Sequence, residues 1–357
     1  MVEYLDGGRI QGSSTLTTSP PKTSWKELDR VTLGSSGDTL DTSTFTAKDN
    51  IMFQFHILRP SSGDQNIRIR FNGDSGSNYS ERYSLNGGTD ATATSQANIA
   101  LHSGVVNENF GCFTFINTAS KEKLCIGDVV GSNADGAGNA PSRREQTFKW
   151  ANTSDQVTRI EIVNTSSGDF EAGSELVVLG CDNDEADSGS NYWQELASFT
   201  RTDNGSTIES GNFATKKYLM VEFCSIPANN GFKGRWEFGH SNGTMDTGSN
   251  YAQRWSEDGG SDGTDTSGST FYGYTNHDDA IQHGVAFIIN KSDKEKLVIF
   301  EGSSGGSSTG AGNVPERREV VAKWVNTSNQ ITNIRLNNQI SGGDAASGSF
   351  IKVWGAD

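Results

Sequence analysis

The chain has 357 residues, 33% of them hydrophobic and 20% charged, and its 42 glycines far outnumber its 6 prolines. That length accommodates two hydrophobic cores of ordinary size, while a formal net charge of −15 sets the surface against phosphate backbones and excludes nucleic acid as an expected partner. The four cysteines (Cys112, Cys125, Cys181, Cys224) are too few for a disulfide-stapled scaffold of this length and include no C-x-x-C pair, so they read as reduced, buried thiols.

In chain order, residues 1–23 are rich in Gly, Ser and Thr with one Pro-Pro pair, and offer no core of their own. They read as an extended arm that docks onto something else, with Tyr4, Leu5, Arg9 and Ile10 as its contact residues. The arm lacks the apolar stretch of a secretory signal and no later run is apolar enough to span a bilayer, so synthesis in a cytoplasm and no membrane partner are expected.

Beyond the arm the sequence repeats itself. The tetrapeptide WKEL at 25–28 returns as WQEL at 193–196, GSNY at 76–79 as GSNY at 248–251, KEKL at 121–124 as KEKL at 294–297, and GAGNAPSRRE at 136–145 as GAGNVPERRE at 310–319. The offset grows slightly along the chain, as single-residue insertions in loops would make it. A repeat of this length is a whole domain: copy 1 covers 24–181, the acidic stretch 182–191 is a linker, and copy 2 covers 192–357.

Within each copy the hydrophobic period is two. Ile51, Phe53 and Phe55 alternate with Met52, Gln54 and His56; Leu219, Val221 and Phe223 answer them in copy 2; and the runs 67–71, 159–163 and 333–337 alternate likewise. No segment reads as a long amphipathic helix. Roughly eight strands per copy follow, and the predicted fold is all-β: two tandem homologous antiparallel β-sandwich, jelly-roll-like domains behind an extended N-terminal arm. Cys112 and Cys125 could meet across a hairpin, but Val285 and Val298 occupy their positions in copy 2, so both sites call for small apolar volume and not sulfur chemistry.

The sharpest shared motif is G-S-N-Y-x-x-R. Two roles are open to Asn78, Tyr79, Arg82 and their counterparts Asn250, Tyr251, Arg254. They could stack on and hydrogen-bond a sugar or a neighbouring subunit, or the asparagines could shape turns, the tyrosines pack in strands and the arginines hold local carboxylates. The second role is the simpler, because both copies need it merely to fold. The P-x-R-R-E element at 141–145 and 315–319 reads as a loop-to-strand junction with a Glu–Arg pair, its adjacent arginines pointing to opposite faces. Oxygen-rich clusters at 72–78 and 258–265 have the ligand density for calcium without the EF-hand spacing, and read as solvated turns.

Catalytic signals are weak. The GDSG at 73–76 is answered by MDTG at 245–248, and no histidine is shared between the copies. His56, His102, His240, His277 and His283 have no metal-ligand spacing, although His277 and His283 lie near Asp278 and Asp279. No enzyme activity, no metal and no cofactor are expected. Paired carboxylates of a glycan-degrading enzyme would meet only in space and leave no linear trace.

On YLDGGRIQGSS at 4–14, FNGDSGSNY at 71–79, and the strand-closing stretches from Gly173–Ser174 to Gly180 and from Gly348–Ser349 to Gly355, the chain resembles virion structural proteins of tailed bacteriophages, particularly those of marine and other aquatic environments. Copy 2 departs from the pattern at Phe238–Asn242, so a site carried by that loop need not be duplicated. The resemblance implies a non-enzymatic capsid decoration, cement or head-fibre subunit on the particle surface, made in the host cytoplasm, anchored by its arm, homo-oligomeric in the particle, and partnered by the major capsid protein or neighbouring subunits. The alternative is a carbohydrate-binding tail-fibre or spike module that recognises a host-surface glycan through the N-Y-R element and exposed tryptophans such as Trp236 or Trp255.

Overall fold

A computed structural model describes residues 25–59, 63–105, 108–182, 191–240, 243–273, 279–305 and 314–357. The arm, with Tyr4, Leu5, Arg9 and Ile10, lies outside the described residues, as does most of the linker. Among the described residues every regular element is a strand.

The first repeat forms β1 (Lys26–Thr32), β2 (Thr39–Asp41), β3 (Asn50–Ile57), β4 (Gln65–Phe71), β5 (Tyr79–Leu85) and β6 (Ala91–Gln96). It continues with β7 (Ile99–Val105), β8 (Asn109–Ile116), β9 (Lys123–Gly131), β10 (Ser142–Trp150), β11 (Ile160–Asn164) and β12 (Glu175–Cys181). The second repeat forms β13 (Gln194–Thr200), β14 (Thr207–Glu209), β15 (Tyr218–Ser225), β16 (Pro227–Asn229), β17 (Gly234–His240), β18 (Thr244–Met245), β19 (Tyr251–Glu257) and β20 (Gly263–Gly268). Its remaining strands are β21 (Phe271–Tyr272), β22 (Gln282–Ile289), β23 (Lys296–Ser304), β24 (Glu316–Trp324), β25 (Asn333–Asn338), β26 (Gly343–Ala345) and β27 (Phe350–Ala356).

Each repeat builds an eight-stranded sheet, β1-β12-β3-β8-β9-β10-β5-β6 and β13-β27-β15-β22-β23-β24-β19-β20, with the same order of equivalent strands. Facing them are the smaller sheets β2-β11-β4-β7 and β14-β25-β17-β18, with β21 also paired to β17. Strands exceed the expected eight per copy because several, such as β6 (ATATSQ) and β20 (GTDTSG), carry almost no apolar residues and show no periodic signal. They are sheet edges with little to bury. Both repeats open the β5–β6 and β19–β20 connections with two residues of positive φ, Asn86 and Gly87 (52° and 68°), then Asp258 and Gly259 (50° and 73°). Asn-Gly and Asp-Gly are the dipeptides that adopt this geometry at least cost.

By backbone proximity the chain divides into two compact units. Of the described residues, the first takes those from Trp25 to Leu85, from Thr89 to Val129 and from Arg144 to Gln194; the second takes those from Asn86 to Gly88, from Val130 to Arg143 and from Glu195 to Asp357. The units do not follow the repeat boundaries throughout, since two short segments of the first repeat belong to the second unit.

Each unit is an antiparallel sandwich with its own core. In the first, Phe53, Phe55, Phe113, Phe115, Cys125 and Phe148 of the large sheet pack against Ile67, Ile69, Phe71, Ile160 and Ile162 of the small one. Phe53 stacks on Phe113 with ring centroids 5.1 Å apart. In the second, Leu219, Val221, Phe223, Val298 and Phe300 meet Trp236, Phe238, Ile334 and Leu336. The two interiors are filled differently. Phe113 pairs with Phe53 in the first, whereas Ala286 pairs with Val221 at that place in the second. The lost volume is restored from the facing sheet, where Trp236 pairs with Leu336 while its counterpart Ile69 pairs with Ile162. Large-for-small exchange across a core preserves its density.

Three sequence expectations need correction here. Met52, Gln54 and His56 are not solvent-facing: β3 is buried on both faces, with His56 Nε2 2.6 Å from Glu108 Oε1. Cys112 and Cys125 form no disulfide and are buried, but they point to opposite faces, because Cys125 joins the core while Cys112 neighbours inward-facing Phe113 and accepts from Gln54 Nε2 at 3.6 Å. Cys181 and Cys224 form no disulfide and are only half-buried, since each stands at or near a strand end.

Phe113→Ala is expected to cost the first unit about 3–5 kcal/mol through loss of its ring contacts and the cavity left behind. Urea denaturation followed by tryptophan fluorescence measures it.

Candidate functional site

The duplicated G-S-N-Y element begins where the chain passes from the small sheet to the large one. In the first repeat, Asp74 sits in that crossing. Its carboxylate accepts Gly76 N at 2.8 Å, Asn78 Nδ2 at 2.9 Å and Trp150 Nε1 at 2.7 Å. The first bond closes an Asx turn. Tyr79, the first residue of β5, turns inward: its hydroxyl accepts Phe71 N at 2.9 Å and donates to Asp74 O at 3.2 Å.

The second repeat reproduces every bond. Asp246 accepts Gly248 N at 2.9 Å, Asn250 Nδ2 at 2.9 Å and Trp324 Nε1 at 2.7 Å. The Tyr251 hydroxyl accepts Phe238 N at 2.9 Å and donates to Asp246 O at 3.1 Å. Burial acts against ionisation of Asp74, but the donors Trp150, Asn78 and Gly76 outweigh it and hold the carboxyl below its ordinary range. Burial pushes both tyrosine hydroxyls above theirs.

Asn78, Tyr79, Asn250 and Tyr251 are thus brought together with aspartates and tryptophans absent from the expected site. Tyr79 and Tyr251 are 1% and 0% exposed, so neither can stack on a ligand. Trp236, expected on the surface, fills the second core at 0% exposure because its counterpart space needs volume. Trp255 is half-buried, its ring edge-on to Tyr272 at 4.6 Å. Asp74 and Asp246 were legible as the one acid kept at the same spacing before GSNY in both repeats.

Arginines of the motif have unequal environments. Arg82 is exposed, with NH1 3.3 Å from exposed Asp90. Arg254 donates from Nε to Pro141 O at 2.9 Å, within the second unit. The adjacent arginines of the P-x-R-R-E element do diverge. Arg144 reaches Glu81 at 3.0 Å and covers the Tyr83 ring at 3.6 Å in the first unit. Arg143 reaches Asp262 at 2.5 Å and Glu319 at 3.2 Å in the second. In the second repeat Arg318 reaches Glu257 at 2.6 Å, while Arg317 is exposed and 2.8 Å from Glu319.

A further duplicated pair is a buried lysine from KEKL. Lys123 Nζ donates to the carbonyls of Lys121 and Asn152 at 2.9 and 3.0 Å, and Lys296 Nζ to those of Lys294 and Asn326 at 2.8 and 2.6 Å. Each ammonium also lies over a tryptophan, 5.5 Å from Trp150 and 5.7 Å from Trp324.

Among the described residues no group of three or more His, Cys, Asp or Glu side chains could hold a metal ion. Asp262, from the cluster weighed for calcium, is engaged by Arg143, and Asp265 accepts Gln253 Nε2 at 3.4 Å. His277 and Asp278 lie outside the described residues. His283 lies 3.1 Å from Glu222, whose hydrogen bond raises its pKa. His102, on β7 of the small sheet, is buried; burial and then the Arg144 charge lower its pKa to about 4.

No family model matches the chain. No curated protein matches it either. Among solved structures, domains LG4-5 of the mouse laminin alpha1 chain align at 12% identity over 95% of this chain and 90% of that one, with a TM-score of 0.20. Neisserial surface protein A aligns at 8% identity over 82% of this chain and 99% of its own, with a TM-score of 0.13.

Tyr79→Phe leaves Phe71 N without its acceptor and is expected to cost about 1–3 kcal/mol in urea denaturation, without altering the circular dichroism spectrum. His102 titrates at about 4 when folded against an ordinary 6.5. Its contribution is therefore complete above pH 6.5 and is lost as pH falls towards 4, because only the unfolded chain takes up the proton in that window. His102→Gln is expected to flatten that part of the stability profile measured by pH-dependent denaturation.

Proposed function

We propose that the chain is a non-enzymatic structural protein of a virus particle: a capsid decoration, cement or head-fibre subunit on the particle surface, held there by residues 1–23. The observation that carries this reading is the inward use of the motif most suited to ligand binding. In both repeats Asn, Tyr and their aspartate are consumed in joining sheet to sheet, which supports two rigid sandwiches serving as a scaffold. The sequence resemblance to tailed-phage virion proteins supplies the kind of assembly, with the major capsid protein or neighbouring subunits as partners. The acidic surface suits a subunit that must stay soluble before it assembles. Glycan recognition draws no support from Tyr79, Tyr251, Trp236 or Trp255, whose ring faces are buried or half-buried.

Deleting residues 1–23 is expected to abolish association with particles while both units keep their cooperative unfolding transitions. Co-sedimentation of the truncated chain with particles checks it, and undiminished incorporation would count against the anchoring role.

A further inference from the structure

The two repeats present the same patch on the outer face of their large sheets, and only one of the patches is covered. On β9, Leu124 and Ile126 alternate with core residue Cys125 and point away from the core, as Ile116 does beside Phe115 on β8. They are 59%, 62% and 58% exposed. Their counterparts Leu297, Ile299 and Ile289 are 0%, 5% and 1% exposed.

The charges around the patch are also duplicated. Lys149 lies 3.0 Å from Glu122, the pair being 41% and 40% exposed; the equivalent Lys323 lies 3.2 Å from Glu295, at 0% and 9%. Arg82 and Asp90 are 60% and 53% exposed. Their equivalents Arg254 and Asp262 are 18% and 2% exposed.

What covers the second patch is visible within the second unit, which includes Val130–Arg143. Lys323 Nζ donates to Ser132 O at 3.1 Å and to Ala134 O. Gly136 N donates to Glu295 Oε1 at 2.6 Å, and Ser267 N to Ala137 O at 2.7 Å. Arg254 donates to Pro141 O, and Arg143 pairs with Asp262. Leu297 pairs directly with Lys323 and Ile299 with Val321, so the apolar residues share the covered face with the lysine.

That covering segment has its own repeat. GAGNAPSRRE at 136–145 returns as GAGNVPERRE at 310–319, and its described part presents Val314 at 81% and Arg317 at 60% exposure. One chain therefore carries an uncovered patch with every charged member of the covered one, and a second copy of the covering sequence whose described residues Val314, Pro315 and Arg317 are exposed.

We propose that this protein self-associates head to tail. Val314–Arg317 of one copy cover Ile116, Leu124 and Ile126 of the next, Arg317 taking Asp90 as Arg143 takes Asp262, and Pro315 O receiving Arg82 as Pro141 O receives Arg254. The contact is heterologous, so it propagates into a filament or closes into a ring. The inference stands on the internal comparison and does not depend on the virion reading.

The test uses sedimentation velocity of the full chain up to about 100 μM, a range that reaches weak but specific association. Wild type is expected to gain mass with concentration. Leu124→Asp/Ile126→Asp removes the acceptor patch and Arg317→Glu the donor; all three positions are exposed, so circular dichroism should be unchanged and each variant should stay monomeric. An equimolar mixture of the two variants retains one intact donor and one intact acceptor, and should form a dimer and nothing larger. A wild type that is monomeric throughout overturns the proposal, as do variants that associate like wild type, or a mixture that remains monomeric.

Discussion

Both sandwiches depend on a carboxylate placed where the chain leaves one sheet for the other. Asp74 and Asp246 each gather a backbone amide, an asparagine amide and a tryptophan indole, while the neighbouring tyrosine hydroxyl bonds to the backbone of the strand just left. In the first repeat this ties β4 of the small sheet to β5 and β10 of the large one. Charge-assisted hydrogen bonds are stronger than neutral ones, and a satisfied network in a partly buried place specifies a single arrangement. A side chain that could have served recognition is thereby committed to architecture.

The cores around these ties tolerate exchange that the ties do not show. Phe113 and Ile69 in one unit correspond to Ala286 and Trp236 in the other, so bulk has moved from the large sheet to the small one at constant fill. Hydrogen-bonding geometry has fewer equivalent solutions than apolar volume has. The aspartate, asparagine, tyrosine and tryptophan recur unchanged for that reason.

Outside the cores, equivalent residues meet different fates. Leu124 and Leu297, Lys149 and Lys323, and Asp90 and Asp262 have the same chemistry and the same place in a sheet, yet one of each pair is exposed and the other covered. Exposed apolar side chains clustered beside an ion pair are characteristic of protein contact surfaces. Such a surface suits a protein that works as part of an assembly.

The amino-acid sequence by itself determined that the protein is all-β, that one sandwich pattern occurs twice, and that the GSNY, KEKL and RRE elements recur in both repeats. Period-two alternation and local turn chemistry are properties of neighbouring residues, so they are legible without a fold. Only the tertiary structure decided that Tyr79 and Tyr251 face inward, that Trp236 is core, that Cys112 and Cys125 lie on opposite faces, and that Val130–Arg143 belongs to the second compact unit. Partners distant in sequence decide such placements: Trp150 for Asp74, Phe300 for Trp236, Asp262 for Arg143. Burial is set by what the fold brings against a face, and that information is not carried by the residues of the face itself.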